Sequence, residues 1–548
     1  MSGGPIRWVG SRAVLVERDT LDEVLALHAY LLDRPLPGQI DLVPAAKTLL
    51  IKCDSHRNAA RAHAAVHDIH APPIEQADGK TVEIEVVYDG EDLETVAELT
   101  GLGVDGVIEA HTRQTWRAAF SGFAPGFVYL AAEDDTLDVP RRDSPRTAVP
   151  AGSVALAGPF SAVYPRRSPG GWQLIGRTDA RVWDIEREEP ALIQAGDLVR
   201  YKAVDRLQRE QGDETTARAE APDTVAKPAL EIVDPGLQSL IEDLGRPGLS
   251  HLGVSVSGAA DEAAARQANR LVGNRADDAV IETLLGDLTI RARGDLTLAR
   301  TGADTQATID SERGPRTAPL RAPFALHDSE TLTLATPQRG LRSYIAVRGG
   351  LDVPAVLGSR SHDALSGIGP EPLAAGRVLP VGAAGPSHIV GAPEPTTLAE
   401  RDEDKTVALR IVLGPRDDWF SPATRARFTR QRWRATEQSN RVGVRLDLDT
   451  DNDNGAALER DRDGELPSEG TVPGALQIPP SGLPVLFLKD HPVTGGYPVI
   501  AVVIAEDLPL AAQIAPGEAV RFAVVDPDTL APIEDDQDDG RPPAEESP

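Results

Sequence analysis

The sequence predicts a mainly β, α+β protein with a β-barrel or sandwich in each of two halves and a small α+β subdomain ahead of the first. Three observations carry that reading. Past residue 85 both halves consist of short apolar runs cut by Gly and Pro, the pattern of strands joined by tight turns. Three sequence elements recur in one order in both halves, which marks an internal repeat. Residues 1–85 differ, alternating strand-like and helix-like periodicities as a mixed unit does.

In chain order, residues 12–17, 47–52 and 81–87 read as strands, and residues 21–32 and 56–70 carry helical spacing. Residues 86–202 complete the first half. The stretch AVDRLQREQGDETTARAEAPDTVAKPA, residues 203–229, is polar and short of large apolar side chains, so a linker is expected there. Residues 230–528 form the second half. Residues 529–548, ending EDDQDDGRPPAEESP, are expected to be a disordered acidic tail. The repeat is read from VPAGSVALAG (from Val149), PGGWQLIG (from Pro169) and AGDLVRY (from Ala195). Its counterparts are VPGALQIPPSG (from Val472), TGGYPVIA (from Thr494) and PGEAVRF (from Pro516). Each set is a Val-Pro strand start, a Gly-Gly-aromatic turn, and a strand ending in Val-Arg-aromatic.

The 548 residues exceed one ordinary core, so at least two domains are expected. A formal net charge of −29 argues against nucleic acid, whose phosphates would be repelled. No apolar run is long enough to cross a membrane, and residues 1–19 lack a signal-peptide pattern. With Cys53 as the single cysteine there is no disulfide framework. A soluble, cytoplasmic protein without a membrane partner is expected.

The Gly170-Gly171-Trp172 turn has two readings that spacing alone leaves open: a backbone site offering N–H groups to a ligand, or a hairpin covered by an aromatic ring. Phe123, Pro125 and Gly126 lie in a rigid, aromatic loop, residues 120–127. Arg141, Arg142 and Arg146 flank two prolines, and Arg166, Arg167 and Arg177 bracket the turn; arginines beside backbone amides suit an anion. The counter-reading pairs them with the chain's many acids. Gly101-x-Gly103-x-x-Gly106 follows a helical pattern and not a strand, so it marks a helix junction in preference to a dinucleotide site. His63, His67 and His70 share a helix face without a carboxylate or cysteine to complete a metal set, and no metal is expected. Asp490-His491, just ahead of the second Gly-Gly turn, fits either catalysis or turn hydrogen bonding.

The stretches FSGFAPGFVYL, PRTAVPAGSVALAGPFSAVYPRRSPGGWQLIGRT and AGDLVRY resemble the B-type subunits of prokaryotic 5-oxoprolinase, a family also called allophanate hydrolase subunit 1 or carboxyltransferase subdomains C and D. LIEDLGRPGLSHLGVSVSGAADEAAARQANRLVGN, YIAVRGGLDVPAVLGSRS, SNRVGVRL and LPSEGTVPGALQIPPSGLPVLFLKDHPVTGGYPVIAVV resemble the C-type subunits, or allophanate hydrolase subunit 2. The resemblance spans the chain apart from linker and tail, and implies a B–C fusion with cyclophilin-like β-barrels in both halves. His362 stands where the family pattern leads one to expect Thr.

The resemblance implies an ATP-dependent, Mg²⁺-requiring 5-oxoprolinase that opens 5-oxoproline to L-glutamate together with a separate A-type subunit. A lactam carbonyl is a poor electrophile, so its oxygen must be activated and the spreading charge stabilised. The residues expected to do this are Phe123, Pro125, Gly126, Arg142, Arg146, Gly170, Gly171, Trp172 and Arg177 in the first half. In the second half they are Asp243, Arg246, Asp261, Asn440, Arg441, Arg445, Asp490, Gly495, Gly496 and Tyr497, with Asp243 or Asp490 as base and the two arginine sets sharing one pocket. A second implied function is carboxyl transfer to urea in a urea amidolyase-type system. Met1 is the only methionine, so the biotinyl carrier motif is missing and no bound biotin is expected in this chain. A third is kinase inhibition by direct binding. A small amide substrate is expected, and homo-oligomerisation is left open.

Overall fold

The computed structural model describes residues 4–73, 79–207, 228–385, 389–398, 406–449, 455–462, 464 and 466–533. Strand accounts for 35% and helix for 16%, which makes the chain mainly β, as predicted. The expected linker lies outside the described residues except at its ends, where residue 203 finishes strand Leu198–Ala203 and residue 229 begins strand Ala229–Asp234. Of the expected tail, residues 529–533 fold back, and Pro532 bridges Val525. The remainder of the tail lies outside the described residues.

The N-terminal subdomain is a four-stranded antiparallel sheet ordered Ile6–Trp8, Ala13–Glu17, Thr48–Cys53, Gln39–Pro44. Two helices, Leu21–Asp33 and His56–Val66, cover one face, and their first turns are capped by the side chains of Thr20 and Ser55. Strand alternation divides the apolar residues. Val14, Val16, Leu49 and Ile51 pack on the helices, while Leu15, Val43 and Leu50 face the other way, onto Val472, Phe487 and Val493 of the second half. Burial on both faces explains why Thr48–Cys53 is apolar almost throughout. The second helix stops at Val66, four residues short of the periodicity, because Pro72 and Pro73 disfavour continued helix.

Strand Thr81–Val86, expected in the subdomain, instead pairs in parallel with Leu198–Ala203 and opens the first barrel. Around that barrel the order is Thr81–Val86, Gln173–Arg177, Ser153–Ala157, Phe160–Val163, Val128–Ala131, Trp116–Ser121, Leu198–Ala203, with the Val87–Arg177 bridge drawing the ends together. The second barrel is closed and ordered Val407–Leu413, Val499–Val503, Ala475–Gln477, Val485–Phe487, Gly443–Leu448, Trp433–Ala435, Ala519–Val524. Taken in chain order, the two circuits are identical strand for strand, including the parallel pair formed by first and last strands. Each also carries a short outlying ladder: Arg146–Val149 with Ser168–Gly170, and Glu469–Gly470 with Thr494–Gly495. Even the helix before the second strand is anchored alike. Trp116 Nε1 donates to His111 O (3.0 Å), and Trp433 Nε1 to Phe428 O (3.1 Å). The three-element repeat is thus the visible part of a nine-strand repeat.

The second half contains more than the single barrel expected for residues 230–528. Strands from Ala229–Asp234 to Val378–Pro380 form a six-stranded and a five-stranded sheet with their own core, built on Ile232, Ile281, Leu298 and Leu332. Helix Glu262–Val272 packs its alanines on the outer side, against Val280 and Tyr344. The sequence did not separate this unit from the barrel, because its strands share the same short apolar period. The G-x-G-x-x-G segment is a helix junction: Gly101, at φ +71°, ends Leu93–Thr100, and Gly103–Arg113 follows.

Candidate functional site

The two outlying ladders place both Gly-Gly turns at one seam. A Cβ on Gly170 would collide with the Tyr164 hydroxyl, whereas Gly171 has ordinary room, its nearest neighbour being 3.6 Å away. Trp172 sets its ring edge-on to Phe127 and Tyr129, with centroids 5.4 and 5.2 Å apart. Tyr129 in turn hydrogen-bonds Ser468 Oγ of the second half (2.7 Å). Arg141 Nη2 donates to the same hydroxyl (3.3 Å), and its Nη1 lies 2.9 Å from where a Cβ on Gly496 would be. A Cβ on Gly495 would collide with Gln477 Nε2. The turns therefore face each other across Tyr129 and Arg141. Tyr497, the aromatic of the second turn, is 39% exposed and lies under the Arg460 guanidinium.

The loop of Phe123, Pro125 and Gly126 docks the halves together. Ser121 Oγ donates to His251 O (2.5 Å), and Gly126 N–H to Leu252 O (3.2 Å). Gly253, at φ +75°, has the Ala124 carbonyl pressed where a Cβ would stand. Phe123 packs on Phe127 (4.6 Å). These residues serve packing between the halves.

The predicted first-half arginines are anchored by acids. Arg142 and Arg146 share Asp92, the second at 2.9 Å, and Arg146 also reaches Glu91 at 3.0 Å. Burial opposes the charge of Asp92. Hydrogen bonds from Arg146 and the Leu174 amide, with the fields of both arginines, outweigh it and hold the carboxyl below its usual range. Arg177 pairs with Asp89 at 2.8 Å in an exposed contact. Arg142 Nε, Arg146 Nη1 and the Tyr164 hydroxyl are buried and find no hydrogen-bond partner among the described residues. All three lie by the Gly170 turn: Gly170 opposes Arg146 in the ladder, and Arg142 N–H bonds Gly171 O (2.8 Å). Two guanidiniums against one buried carboxylate, with orphaned donors, fit an anion.

Arg441, Asp490, Glu282 and Glu242 form a buried charge network in the second half, apart from the Asp92 cluster of Arg142 and Arg146, while Arg166 of the first half and Arg246 of the second both lie in the field of Asp363. Arg441 donates to Asp490 (2.9 and 3.1 Å), to Glu282 and to Gly258 O (2.6 Å), and lies 3.4 Å from Glu242. Burial pulls its pKa down, but Asp490, Glu242 and Glu282 more than offset this and raise it well above the ordinary value. Burial drives the Glu242 carboxyl far up, reinforced by Glu282 and Asp490. Asp490 also accepts from Ser257 Oγ (2.7 Å) and the Ala364 amide (3.0 Å), and Ser257 adopts φ +51° to do so. Asp243 accepts from Ser359 and Ser361 hydroxyls (both 2.6 Å) and from the Gly245 and Arg360 amides. Asp490 has both oxygens doubly engaged, and Asp243 takes three hydrogen bonds on Oδ1 and one on Oδ2, so both carboxylates anchor loops.

Asp261 caps helix Glu262–Val272, accepting from the Ala264 amide and Gln513 Nε2, and burial pushes its pKa up to about 6. Arg246 is 2% exposed; its Nη2 reaches Ser361 O, while Nε and Nη1 have no partner among the described residues. Asn440 folds back on the Val442 and Gly443 amides, and Arg445 is exposed. Neither joins the network. His491 is buried, with Nδ1 on Thr471 and Pro492, and His362 Nδ1 is 3.0 Å from Pro370 O. His63 stacks on Trp8.

Sequence reasoning passed over Tyr129, Tyr164, Ser468, Glu242, Glu282 and Asp92. One signal existed: Glu282 sits at an inward position of the apolar strand Val280–Leu284, where a carboxylate needs a buried partner.

Residues 5–193 match the family described as carboxyltransferase domain, subdomain C and D, and residues 252–524 match carboxyltransferase domain, subdomain A and B. The chain is 37% identical over 299 residues to the 5-oxoprolinase C subunit of Escherichia coli (strain K12), covering 54% of this chain and 90% of that protein. It is 36% identical over 194 residues to the 5-oxoprolinase B subunit of Bacillus subtilis (strain 168), covering 32% and 81%. It is 28% identical over 331 residues to urea amidolyase of Lachancea kluyveri, covering 57% of this chain but 18% of that protein. Among solved structures, TTHA0988 superposes with a TM-score of 0.79 at 34% identity, covering 93% of this chain and 99% of TTHA0988. No helix among the described residues is long and apolar enough to cross a membrane.

Proposed function

The chain belongs to the carboxyltransferase-domain family of the 5-oxoprolinase B and C subunits and the urea amidolyases, and from that premise we propose that it is the fused B–C component of an ATP-dependent 5-oxoprolinase. The observation that carries the reading is completeness. A B-type relative and a C-type relative are matched over most of their lengths, one after the other, in a single polypeptide.

Opening the lactam to L-glutamate consumes water, and amide resonance makes the ring carbon a poor electrophile. ATP with Mg²⁺, when bound, would supply the phosphoryl group that activates the carbonyl oxygen, so that water can add at the ring carbon and the ring C–N bond can break, with inorganic phosphate released as a further product. Arg142, Arg146 and Tyr164 at the Gly170 turn are the groups of this chain suited to hold a phosphate, because each keeps a buried donor without a partner among the described residues. Asp92 fixes the two guanidiniums in one orientation. Arg246, with two unpartnered N–H groups, is suited to a second anion. Asp243 and Asp490 position the loops that carry Arg246 and Arg441. The partner is a protein like the A-type subunit of 5-oxoprolinase.

Purified chain mixed with such an A-type protein, 5-oxoproline and ATP-Mg²⁺ should yield glutamate and ADP in equal amounts, and neither protein alone should do so. Arg142→Ala with Arg146→Ala should lower the rate at least about 100-fold. Similarity to urea amidolyase favours a second reading, carboxyl transfer to urea. Bicarbonate-dependent carboxylation of urea with a biotinylated carrier protein, and no glutamate in the first assay, would replace the proposal.

A further inference from the structure

An arginine from each half reaches one loop of the second half, residues 361–370. Arg166 lies between strands Phe160–Val163 and Ser168–Gly170 of the first half, and its Nη1 is 4.0 Å from where a Cβ on Gly367 would stand. Arg246 follows strand Gln238–Glu242 of the second half. Its Nη2 donates to Ser361 O, and its amide to Val256 O (2.8 Å). Asp363, the acid of the loop, acts electrostatically on both arginines but pairs with neither. Its Oδ2 accepts from Ser255 Oγ (2.9 Å), and its Oδ1 from the Leu365 and Ser366 amides (2.9 and 3.0 Å). Both guanidiniums therefore keep donors unused. Arg246 Nε and Nη1 are buried without a partner among the described residues, and Arg166 makes no side-chain hydrogen bond or ion pair among them.

Both cations are also under-compensated. Burial lowers the pKa of Arg166, and Asp363 restores only part of the loss. Burial lowers that of Arg246 as well, against the opposing fields of Asp363, Glu242, Asp243 and Asp490. Arg441 is the contrast, since its carboxylates more than offset burial. The other acids near Arg246 are committed elsewhere. Asp490 pairs with Arg441, Asp243 accepts from Ser359, Ser361 and two loop amides, and burial drives the Glu242 carboxyl toward its protonated form. Two guanidiniums around a single shared carboxylate are balanced by one further negative charge, and their unused N–H groups call for oxygen acceptors. A dianion would reverse the excess, and an apolar ligand would leave the donors bare.

We propose that Arg166 and Arg246 together bind one planar monoanion, the carboxylate of a small organic acid or bicarbonate, over the 361–370 loop where the halves meet. The site exists only when both halves are assembled, because one arginine comes from each. Arg166 is the half-buried member of the pair, so the ligand enters past it and Arg246 forms the floor. The inference deepens the second-anion role given to Arg246 above, and it rests on the proposed function only for the choice of 5-oxoproline, a cyclic amide carboxylate, as a probe. Arg142 and Arg146 are held apart from it by Asp92, so a carboxylate and a phosphate would have separate arginine pairs.

The test is equilibrium dialysis of radiolabelled 5-oxoproline, and separately of radiolabelled bicarbonate in sealed cells, against the full chain without nucleotide or partner protein. Saturable binding of at least one is expected, and the one that saturates identifies the source of the carboxyl group. Arg166→Met should weaken that binding at least about tenfold, Arg166→Lys less, and the distant Arg61→Ala not at all. Arg246→Met should abolish it. The lactam without a carboxylate, 2-pyrrolidone, and the dianion sulfate should each displace the ligand at least about tenfold more weakly than the unlabelled ligand does. Thermal melting identifies any variant that fails to fold. Arg166→Met alters a half-buried side chain that holds no hydrogen bond, so it keeps the test decisive even where Arg246→Met unfolds. Absence of saturation by either probe up to about 10 mM, equal displacement by 2-pyrrolidone or sulfate, or unchanged binding in Arg166→Met overturns the inference. Binding that behaves as expected without glutamate formation would sink the oxoprolinase reading alone. Glutamate formation by the wild type, with binding of both probes unchanged in Arg166→Met, would sink the two-arginine site alone.

Discussion

Replacing Arg441 by Met should unfold the second half at far lower temperature. The guanidinium is 2% exposed and faces three carboxylates, Asp490, Glu282 and Glu242, none more than 4% exposed. A methionine fills similar volume but leaves these acids with Arg342, 3.5 Å from Glu282, as an ion-pair partner and the buried Arg246 acting on Glu242 and Asp490 at longer range. Breaking a buried pair from one side costs about 3–5 kcal/mol, and with Asp490 and Glu282 both stranded beside Glu242 the upper end applies. At about 2–4 °C per kcal/mol for a unit of this size, the melting temperature of the second half should fall by roughly 10–20 °C, read by circular dichroism. Arg445→Met, in the same barrel but exposed, should stay within about 0.5 kcal/mol. Glu242→Gln checks the underlying electrostatics. Burial raises the Glu242 pKa in the folded chain above its ordinary 4.5. As pH rises past 4.5 the unfolded chain therefore releases this proton first, and the wild type loses stability. The stability of Glu242→Gln relative to wild type should grow from about pH 4.5 to pH 8. An Arg441→Met shift below about 2 °C, or a pH-independent gap between wild type and Glu242→Gln, would refute the reasoning.

Burial depresses His111 and His491 to about 3 from an ordinary 6.5. Below pH 6.5 the unfolded chain takes up protons that the folded chain refuses, so stability is complete above 6.5 and is lost on acidification toward 3. At pH 5 each histidine should cost about 2 kcal/mol, seen as a falling urea midpoint that flattens in His491→Gln. Gly170→Ala should cost about 1–3 kcal/mol by overpacking against the buried Tyr164, while Gly171→Ala stays within about 1 kcal/mol in the same melting assay. Tyr129→Phe removes the Ser468 hydrogen bond across the seam and should cost about 1 kcal/mol by chemical denaturation. Tyr497→Phe, on an exposed ring, should cost nothing measurable.

The barrels were legible because backbone geometry restricts residue choice. A strand start, a crowded glycine and a covering aromatic leave the same marks twice, and each mark is local. Gly170 bears this out, being barred from a side chain by Tyr164 six residues earlier. What stayed hidden was non-local. Asp92 lies 50 residues before Arg142 and does not look different from the acids around it. Strand Thr81–Val86 has no local feature that assigns it to a partner more than a hundred residues on. The arginine-rich stretches were read as anion clamps, and the structure divides them. Arg177 and Arg441 are matched by carboxylates, whereas Arg142, Arg146 and Arg246 keep donors to spare. Spacing along the chain cannot tell these cases apart, because an acid reaches an arginine through the fold.

The sheet of the first 53 residues has its inner side under its own helices and its outer side fused into the apolar interior of the barrel that ends the chain. The first and last segments of the polypeptide are therefore held to each other by oil-like contact, whatever connects them in between. A cut within residues 208–227 should yield two fragments that elute and melt as one particle. Covalent fusion then serves to fix equal dosage and speed assembly, and two genes could encode the same object.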